Sequence, residues 1–274
     1  MKWRFLETGA KSPAMNMAID EAVMCCHRKG LVPPTLRFYT WEPAGLTLGY
    51  FQKFTKEVNE SGCNQYGVEY VRRLTGGRAV LHDRDFTYSI IICEENPKIP
   101  KGILPSYREI SKGIINGLTF LDIQAEVVAL NEDKQKKDKK EMSIACFDSA
   151  SWYEVVIEGK KIVGSAQTRK EGILLQHGSI LLELDSEKLF NVLQTPSDKV
   201  KERMIRDFPK RAVSLSSLLK KKISYEELIS PMRQGFAEAF SVDLEESTLL
   251  PEELELAQML YEEKYTALSW NTKK

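Results

Sequence analysis

The apolar residues of this chain recur with two periods, one typical of helices and one typical of strands. The first helical stretch begins at Ser12 and Pro13, a polar cap followed by a residue suited to the first turn, and it ends at Gly30. Between them apolar residues recur every three or four positions, which predicts an amphipathic helix. The same period predicts further helices at 106–121, 186–193, 214–220, 224–240 and 251–265.

Strand patterns lie mainly between these helices. Short alternating or continuous apolar runs predict strands at 36–41, 46–50, 68–73, 87–93, 127–130, 152–158, 161–169 and 172–183. The Glu158-Gly159 pair between two of them is typical of a tight hairpin turn. Strands dominate the centre of the chain and helices its last third, so the pattern predicts a mixed α/β (α+β) protein. No linker divides it, and we expect a single domain over residues 1–274.

Composition fits a folded protein with a sizeable core. The chain has 274 residues, of which 42% are hydrophobic, and this excludes a disordered or fibrous protein. Lysine plus arginine and aspartate plus glutamate both number 39, so the net charge is zero, which argues against a dedicated nucleic-acid binder. The charged run NEDKQKKDKKE at 131–141 is interpreted as a solvated surface loop, with a nucleic-acid arm as the alternative.

Several protein classes are not supported by the sequence. It has no apolar stretch near the roughly 20 residues that cross a bilayer and no apolar signal segment. Its five cysteines are odd in number and lack zinc-type spacing. We therefore expect a soluble cytoplasmic protein with free thiols, without a metal or cofactor and without a membrane or nucleic-acid partner.

The most specific motif is the run RRLTGGRAVLHD at residues 72–83. Gly76 and Gly77 follow a predicted strand and allow backbone N–H groups to approach a ligand oxygen, while Arg72, Arg73 and Arg78 suit an anion or a planar carbonyl group. The spacing is not that of a phosphate-binding P-loop, and a double glycine alone also fits a hairpin turn. The whole run predicts a substrate-binding loop.

His82 closes this motif and is one of three histidines. With Asp83 it has the composition of an acid/base pair, although adjacent residues on a strand usually point in opposite directions. His177 is interpreted as a structural or pocket-lining residue. His27 lies near a predicted helix end, where an imidazolium suits the helix dipole.

Cys146 is the best candidate for a nucleophile on sequence position. It follows the charged run and lies among small polar residues, whereas Cys93 ends an apolar strand; an inert, half-buried thiol is the alternative. A thiol with a pKa near 8.5 needs a nearby cation or base to form the reactive thiolate at neutral pH. Lys161 is a candidate for this group, although a lysine beside a hairpin is usually solvated. Gly164 and Ser165 on the same strand have no side chain or a small one, so a ligand can approach the backbone there closely.

Taken together, RRLTGGRAVLHD, KIVGSAQTR at 161–169 and the segment after Ala145 resemble the family of biotin and lipoate protein ligases and octanoyltransferases. The likeness runs from about residue 3 to 271 and is strongest to the Bacillus-type octanoyltransferase branch. It implies a ligase-like catalytic domain, with a central, mostly antiparallel sheet flanked by helices. It also implies a core at about 30–245 and a helical C-terminal extension at 246–274.

The resemblance implies a two-step acyl transfer without ATP. Octanoyl passes from octanoyl-acyl carrier protein to Cys146 and then to a lysine of the glycine-cleavage H protein, the first step of protein lipoylation. Lys161 assists as cation and base. The implied substrate-binding residues are Arg72, Arg73, Gly76, Gly77, Arg78, His82, Gly164 and Ser165. The expected acyl slot lies near Val80, Leu81 and Tyr39 or Tyr50.

Three alternatives remain open from sequence. An ATP-dependent lipoate–protein ligase would adenylate free acid and would not need Cys146. An octanoyl amidotransferase from H protein to a dehydrogenase subunit would use the same cysteine chemistry with other partners. A non-catalytic carrier-protein binding module would form complexes without an acyl-enzyme.

Overall fold

A computed structural model describes residues 2–129 and 153–273 of the chain. The strands are β1 (Lys2–Lys11), β2 (Thr35–Trp41), β3 (Gly45–Leu48), β4 (Glu69–Arg72), β5 (Val80–His82), β6 (Asp85–Cys93), β7 (Glu126–Ala129), β8 (Tyr153–Ile157), β9 (Lys160–Lys170), β10 (Ile173–Leu181) and β11 (Asp243–Ser247). The helices are α1 (Pro13–Arg28), α2 (Phe54–Glu57), α3 (Glu60–Tyr66), α4 (Ile103–Thr119), α5 (Ser186–Val192), α6 (Asp198–Asp207), α7 (Leu215–Leu219), α8 (Tyr225–Phe240), α9 (Pro251–Leu260) and α10 (Leu268–Asn271). The charged run 131–141 and Cys146 lie outside the described residues.

The described strands form one large and one small sheet. The large sheet has the order β11-β1-β2-β6-β10-β9-β8-β7, and the small sheet has the order β4-β3-β5. Within the large sheet β1 runs parallel to β2 and β11, and the other neighbours are antiparallel. The expected central, mostly antiparallel sheet flanked by helices is therefore confirmed.

Helices cover the two faces of the large sheet in different ways. On one face α4 and α8 pack together unusually closely, since a Cβ atom on Gly235 would lie 2.2 Å from the backbone nitrogen of Gly117. On the other face α1 packs against β6, β10 and α9. Ser12 caps α1 by accepting a hydrogen bond from the backbone N–H of Met15, as the sequence predicts.

The alternation of side chains along β6 separates an apolar face from a polar one. Phe86, Tyr88, Ile90 and Ile92 join the core cluster under α4 and α8. The intervening residues Asp85, Thr87 and Ser89 are buried on the opposite face, and β10 adds His177 and Ser179 there. The fold thus gathers buried polar side chains on the face that α1 and the small sheet cover.

Seven elements are absent from the sequence prediction: β1, β5, β11, α2, α3, α6 and α10. They are too short for a period to show, or they carry polar or charged residues that weaken it. In the described part of the chain, no helix combines the length and apolar character needed to span a bilayer.

Candidate active site

The glycine loop connects β4 to β5 and packs tightly against the protein. Gly77 has φ +91°, a left-handed conformation that favours glycine. A Cβ atom on Gly49, at the end of β3, would lie 2.0 Å from the carbonyl oxygen of Gly77, so this contact also requires glycine. A Cβ atom on Gly77 would lie 3.7 Å from that of Ala166 on β9. The structure therefore brings the two glycine-rich segments found in the sequence together.

Arg73 shapes this loop from within. Its side chain is buried and donates to the carbonyl oxygens of Gly76 (2.9 Å) and Arg78 (2.7 Å) and to the carbonyl and hydroxyl oxygens of Thr47 (3.0 and 2.7 Å). The remaining N–H, on Nε, donates to the hydroxyl of Thr75 at 3.2 Å. All five guanidinium donors are thus committed to the protein's own oxygens.

Arg72 links the same region to the end of the chain. Its guanidinium donates to three carbonyl oxygens before the loop, those of Gly49, Tyr50 and Gln52. It also donates to three carbonyl oxygens of the C-terminal segment 270–273. Both arginines therefore support the loop, and their predicted direct contact with substrate stays a prediction. Arg78 is half-buried beside them.

His177 and Asp20 form the first of two buried histidine–aspartate pairs, here called the inner pair. His177 Nδ1 lies 3.4 Å from Asp20 Oδ2, and its Nε2 lies 2.7 Å from the hydroxyl of Thr75. Asp20 also accepts from Arg37 (2.7 Å), Tyr39 (3.1 Å) and Ser89 (2.9 Å). Burial acts against ionisation of Asp20, but Arg37 and His177 outweigh it and hold the pKa of this carboxyl below its usual value.

His82 and Asp85 form the second pair, here called the outer pair. His82 Nδ1 lies 2.6 Å from Asp85 Oδ2, and its Nε2 lies 3.1 Å from the hydroxyl of Thr47. The ring stacks on Trp41 with centroids 4.0 Å apart. Of the two interpretations of His82 and Asp83, the acid/base pair is not formed. The side chains point in different directions, as the alternative expected, and Asp83 accepts from Lys188 at 2.8 Å.

Arg73 links the two histidines through threonine hydroxyls. It donates to the hydroxyl oxygens of Thr47 and Thr75, and each of these hydroxyls lies beside a histidine Nε2. Burial lowers the pKa of His177, which favours a neutral ring there. One hydrogen-bonded chain therefore runs from Asp85 through Arg73 to Asp20.

A narrow cavity, here called the first cavity, lies where this hydrogen-bonded chain of side chains meets β9. Most members of this hydrogen-bonded chain contribute to its wall, together with the Gly164-Ser165 segment. Its lining residues are Met17, Tyr39, Trp41, Thr47, Arg73, Val80, His82, Thr87, Gly164, Ser165, Ala166, His177, Gly178 and Ser179. Of the residues expected to line an acyl slot, Tyr39 and Val80 are here, Leu81 lines a neighbouring cavity, and Tyr50 is partly exposed.

On the other face of β9, a second series of hydrogen-bonded side chains holds Ser165. Its hydroxyl lies 2.9 Å from the hydroxyl of Tyr88, which accepts from Gln176 at 3.0 Å. Burial raises the pKa of Tyr88, so its hydroxyl stays protonated. Opposite Ser165, a Cβ atom on Gly178 would lie 2.2 Å from its Oγ, so glycine is required there.

Lys161 lies at the start of β9 and is almost fully buried. Its Nζ donates to Oε1 of Glu154 at 2.7 Å, a partner that the sequence interpretation missed. A β-bulge places two residues of β9 opposite one of β8, and both Ile162 and Val163 join the apolar core. Lys161 and Gly164 therefore share the opposite face, which carries the glycine loop.

The fold and this site match a known family. A family model of the lipoyl protein ligase A/B catalytic domain matches residues 12–237. The matched range includes the glycine loop, both histidine–aspartate pairs and Lys161. The chain therefore belongs to the lipoyl protein ligase A/B catalytic domain family.

Individual relatives and structures refine this assignment. The octanoyltransferase LipM of Brevibacillus brevis is 49% identical over 274 residues, which cover 100% of this chain and 99% of that relative. One similar structure comes from an analysis of a bi-partite lipoate protein ligase and its E2 lipoyl domain from Thermoplasma acidophilum. It superposes with a TM-score of 0.82 at 26% sequence identity, and the match covers 99% of this chain and 96% of that chain. A lipoate-protein ligase A bound with ATP gives a TM-score of 0.79 at 26% identity, covering 99% of both chains.

Proposed function

We propose that this protein is an octanoyltransferase of protein lipoylation, an acyltransferase that moves an octanoyl group onto a lysine. The observation that carries the proposal is the 49% identity to an octanoyltransferase LipM over the full length of both chains. The first cavity supports it, because apolar and aromatic side chains line it beside a glycine loop and paired histidines. Such a site suits an acyl chain that ends in a reactive carbonyl group.

The proposed reaction has two steps that need no ATP. The Cys146 thiolate attacks the carbonyl carbon of an acyl-carrier thioester, a new C–S bond forms, and the carrier leaves as a thiol after taking up a proton. The amine of the acceptor lysine then attacks the octanoyl-enzyme, a C–N bond forms, and the Cys146 sulfur leaves. The second step releases one proton and replaces a thioester by a more stable amide.

Lys161 is proposed as the cation and base for these steps. It stands on the same sheet face as the glycine loop, and Glu154 orients its ammonium group through a 2.7 Å hydrogen bond. Cys146 precedes Tyr153, the first described residue of β8, by only seven residues. A chain of that length spans at most about 25 Å, which keeps Cys146 within reach of the β8–β9 hairpin.

The predicted substrate-binding residues are proposed to act in three groups. Backbone N–H groups at Gly76, Gly77 and Gly164 approach the carbonyl oxygen, where loss of one oxyanion donor typically costs 100-fold or more in rate. Ser165 and His82 line the same cavity. Arg72 and Arg73 hold the loop in the shape that this requires, and Arg78 is proposed to contact the substrate.

The partners are an acyl donor and an acceptor protein with a target lysine. Within that description we propose octanoyl-acyl carrier protein as donor and the glycine-cleavage H protein as acceptor, with the reaction in the cytoplasm. We also propose one acyltransferase domain over 1–274, with a ligase-like core at about 30–245 and an extension at 246–274. The pairing of β1 with β11 supports one domain, because it joins the first strand of the chain to a strand at the boundary between the proposed core and extension.

An ATP-dependent lipoate–protein ligase is the second candidate. The similarity to an ATP-bound lipoate-protein ligase A over 99% of both chains favours it. A ligase would need free acid and ATP and would tolerate loss of the thiol. The two functions therefore differ in a covalent intermediate that mass spectrometry detects.

The deciding experiment is intact-mass spectrometry of the protein mixed with octanoyl-acyl carrier protein in the absence of ATP. We expect one added octanoyl group that hydroxylamine removes and that is absent from Cys146→Ala. Cys63→Ala is the matched control, because Cys63 is buried and burial raises the pKa of its thiol to about 11. It should retain the adduct.

Two further outcomes separate the alternatives. Activity only with free acid and ATP would establish the ligase and leave Cys146 without a catalytic role. An acyl-enzyme that transfers from octanoylated H protein to a dehydrogenase subunit, but not from acyl carrier protein, would establish the amidotransferase. Lys161→Ala should slow formation of the adduct and move the reactivity of the Cys146 thiol to higher pH.

A further inference from the structure

Strand β4 lies at the edge of the small sheet, and the short helix α10 packs beside it. Among the described strands, the order β4-β3-β5 leaves one side of β4 without a strand partner. At Arg72, the last residue of β4, two side chains of α10 take the place of that strand. The backbone N–H of Arg72 donates to Oδ1 of Asn271 at 2.8 Å, and its carbonyl oxygen accepts from Nε1 of Trp270 at 2.9 Å. The end of the chain therefore satisfies both backbone polar groups of a buried residue.

Asn271 and Trp270 are themselves held in place. Asn271 is 4% exposed, and its Nδ2 donates to the carbonyl oxygen of Tyr265 at 2.7 Å, which turns Oδ1 toward Arg72. The indole ring of Trp270 lies between two tyrosine rings, with centroids 5.9 Å from Tyr50 and 6.0 Å from Tyr265. Neither residue is among those that line the first cavity. An effect of either one on the reaction must therefore pass through the residues it holds.

The guanidinium of Arg72 extends this connection to the turn at 49–52. It donates to the carbonyl oxygens of Gly49 (2.9 Å), Tyr50 (3.3 Å) and Gln52 (2.7 Å) on one side. On the other side it donates to three carbonyl oxygens of the segment 270–273, at 2.9 to 3.2 Å. Because the group is planar and its donors have fixed directions, it fixes α10 and the turn relative to each other.

The turn in its place packs directly against the glycine loop. The backbone N–H of Tyr50 donates to the carbonyl oxygen of Thr75 at 2.8 Å. A Cβ atom on Gly49 would lie 2.0 Å from the carbonyl oxygen of Gly77, and one on Gly76 would lie 3.9 Å from the ring of Phe51. Atoms packed this closely leave no space to absorb a movement, so a shift of the turn displaces the loop.

We infer that Trp270 and Asn271 are positioning residues of the glycine loop, which act on the reaction through Arg72. They hold the turn at 49–52, and the turn holds the backbone N–H groups of Gly76 and Gly77 beside the acyl carbonyl oxygen. The inference rests on the proposed octanoyl transfer and adds that the end of the chain completes its oxyanion site. Displacing a catalytic group by about 1 Å can lower a rate by about 100-fold, so the loss of either hydrogen bond should be visible in turnover.

The first test compares two tryptophan-to-phenylalanine substitutions in the full-length protein. Trp270→Phe removes the indole N–H that donates to Arg72 and keeps an aromatic ring beside Tyr50. Trp3→Phe is the matched control. Trp3 is 1% exposed in the core under α4 and α8, and its Nε1 has no hydrogen-bond partner among the described residues. The control therefore removes the same atoms from a more buried position without changing any contact of Arg72.

The second test concerns the other backbone hydrogen bond of Arg72. Asn271→Ala removes the side-chain oxygen that accepts from the Arg72 N–H. Its control is Thr272→Ala, which removes the neighbouring hydroxyl; this hydroxyl donates to the carbonyl oxygen of Leu268 at 2.8 Å. Calorimetry gives the Tm of all four variants, and the rates are measured well below the lowest Tm, where each protein is folded.

The assays follow acyl-enzyme formation from octanoyl-acyl carrier protein and transfer from octanoyl-enzyme to apo H protein, each over a range of substrate concentrations. Both steps develop a negative oxygen at the same loop. Trp270→Phe and Asn271→Ala should therefore lower the saturated rate of both steps by about tenfold or more, with half-saturating concentrations within about twofold of wild type. Trp3→Phe should lower the Tm, and both controls should keep the two rates within about twofold of wild type.

Three outcomes would count against these assignments. Wild-type rates in Trp270→Phe and Asn271→Ala, or an equal fall in Trp3→Phe, would overturn the inference and leave octanoyl transfer intact. A higher half-saturating concentration at an unchanged saturated rate would also overturn it, because α10 would then act in binding a partner protein. Failure of the wild-type protein to form any acyl-enzyme would instead refute the proposed function.

Discussion

The inner and outer histidine–aspartate pairs share one design but differ in how completely they are satisfied. In both, a histidine lies between an aspartate and a threonine hydroxyl, and Arg73 joins the two threonines. Asp20 of the inner pair has hydrogen bonds on both oxygens and a buried guanidinium, that of Arg37, as counter-charge. Asp85 of the outer pair has hydrogen bonds on one oxygen, and the other is unpaired among the described residues.

This difference separates a structural role from a role in the site. A buried carboxylate with a cation and a full set of donors stabilises the fold, and removing it leaves the cation unpaired. Asp85 has one unpaired oxygen among the described residues and holds His82, which lines the first cavity, so its loss is expected to disturb the site more than the fold. The inner pair is therefore expected to govern stability, and the outer pair to govern turnover.

The largest expected effect is on stability. Asp20→Asn leaves the buried Arg37 guanidinium without a counter-charge and should lower the free energy of unfolding by about 3–5 kcal/mol, measured by urea denaturation. Asp85→Asn should cost less than half as much and should chiefly reduce turnover. Equal losses of stability in the two variants would contradict the comparison.

The link between the pairs should have an intermediate effect. Thr75→Val removes the hydroxyl that Arg73 and His177 share and leaves buried donor and acceptor groups unsatisfied, which costs about 1–3 kcal/mol. Thr47→Val makes the corresponding change on the outer side. We expect calorimetry to show a lower Tm for both variants, and turnover to fall further in the Thr47 variant because His82 then loses its hydroxyl partner.

The smallest expected effect is a pH dependence of stability from the inner pair. Burial holds the pKa of His177 below 6.5, so below pH 6.5 the unfolded state binds more protons than the folded state. Stability should therefore fall as the pH drops from 6.5 to the pKa of His177 in the folded state. Below that pH this histidine causes no further loss of stability. Each unit of pKa difference is worth about 1.4 kcal/mol.

The difference between wild-type and His177→Gln unfolding curves at several pH values isolates this contribution. Burial also lowers the pKa of His27, but His27 is present in both proteins and cancels. A difference that does not change between pH 4.5 and 7 would exclude a neutral, buried His177.

The sequence predicted the elements whose signals are local. The Ser12 cap, the apolar period of α4 and the Glu158-Gly159 turn each depend on neighbouring residues, and the structure contains all three. Strand β1 was missed because its buried part includes Arg4, which breaks the apolar pattern. Arg4 is neutralised by Glu253, a bidentate partner 249 residues away that no local pattern can reveal.

The same limit applies to the site. The glycine loop and the Gly164-Ser165 segment were found from motifs, and the structure places them side by side. The partners of the histidines were not found, because His177 and Asp20 are 157 residues apart and belong to different elements. Glu154 offered a weaker signal: in a hairpin that turns at 158–159 it comes close to Lys161, and a charge pair could have been inferred there.

The contacts of Arg72 also determine when the glycine loop is complete during synthesis. Arg72 and its carbonyl partners at 270–273 are separated by 198 to 201 residues. At about 5–20 residues per second, a ribosome needs about 10–40 seconds to add that length of chain. During that interval the guanidinium lacks half of its acceptors, so the nascent chain carries an unfinished glycine loop. This interval is when the loop is most exposed to proteases and chaperones.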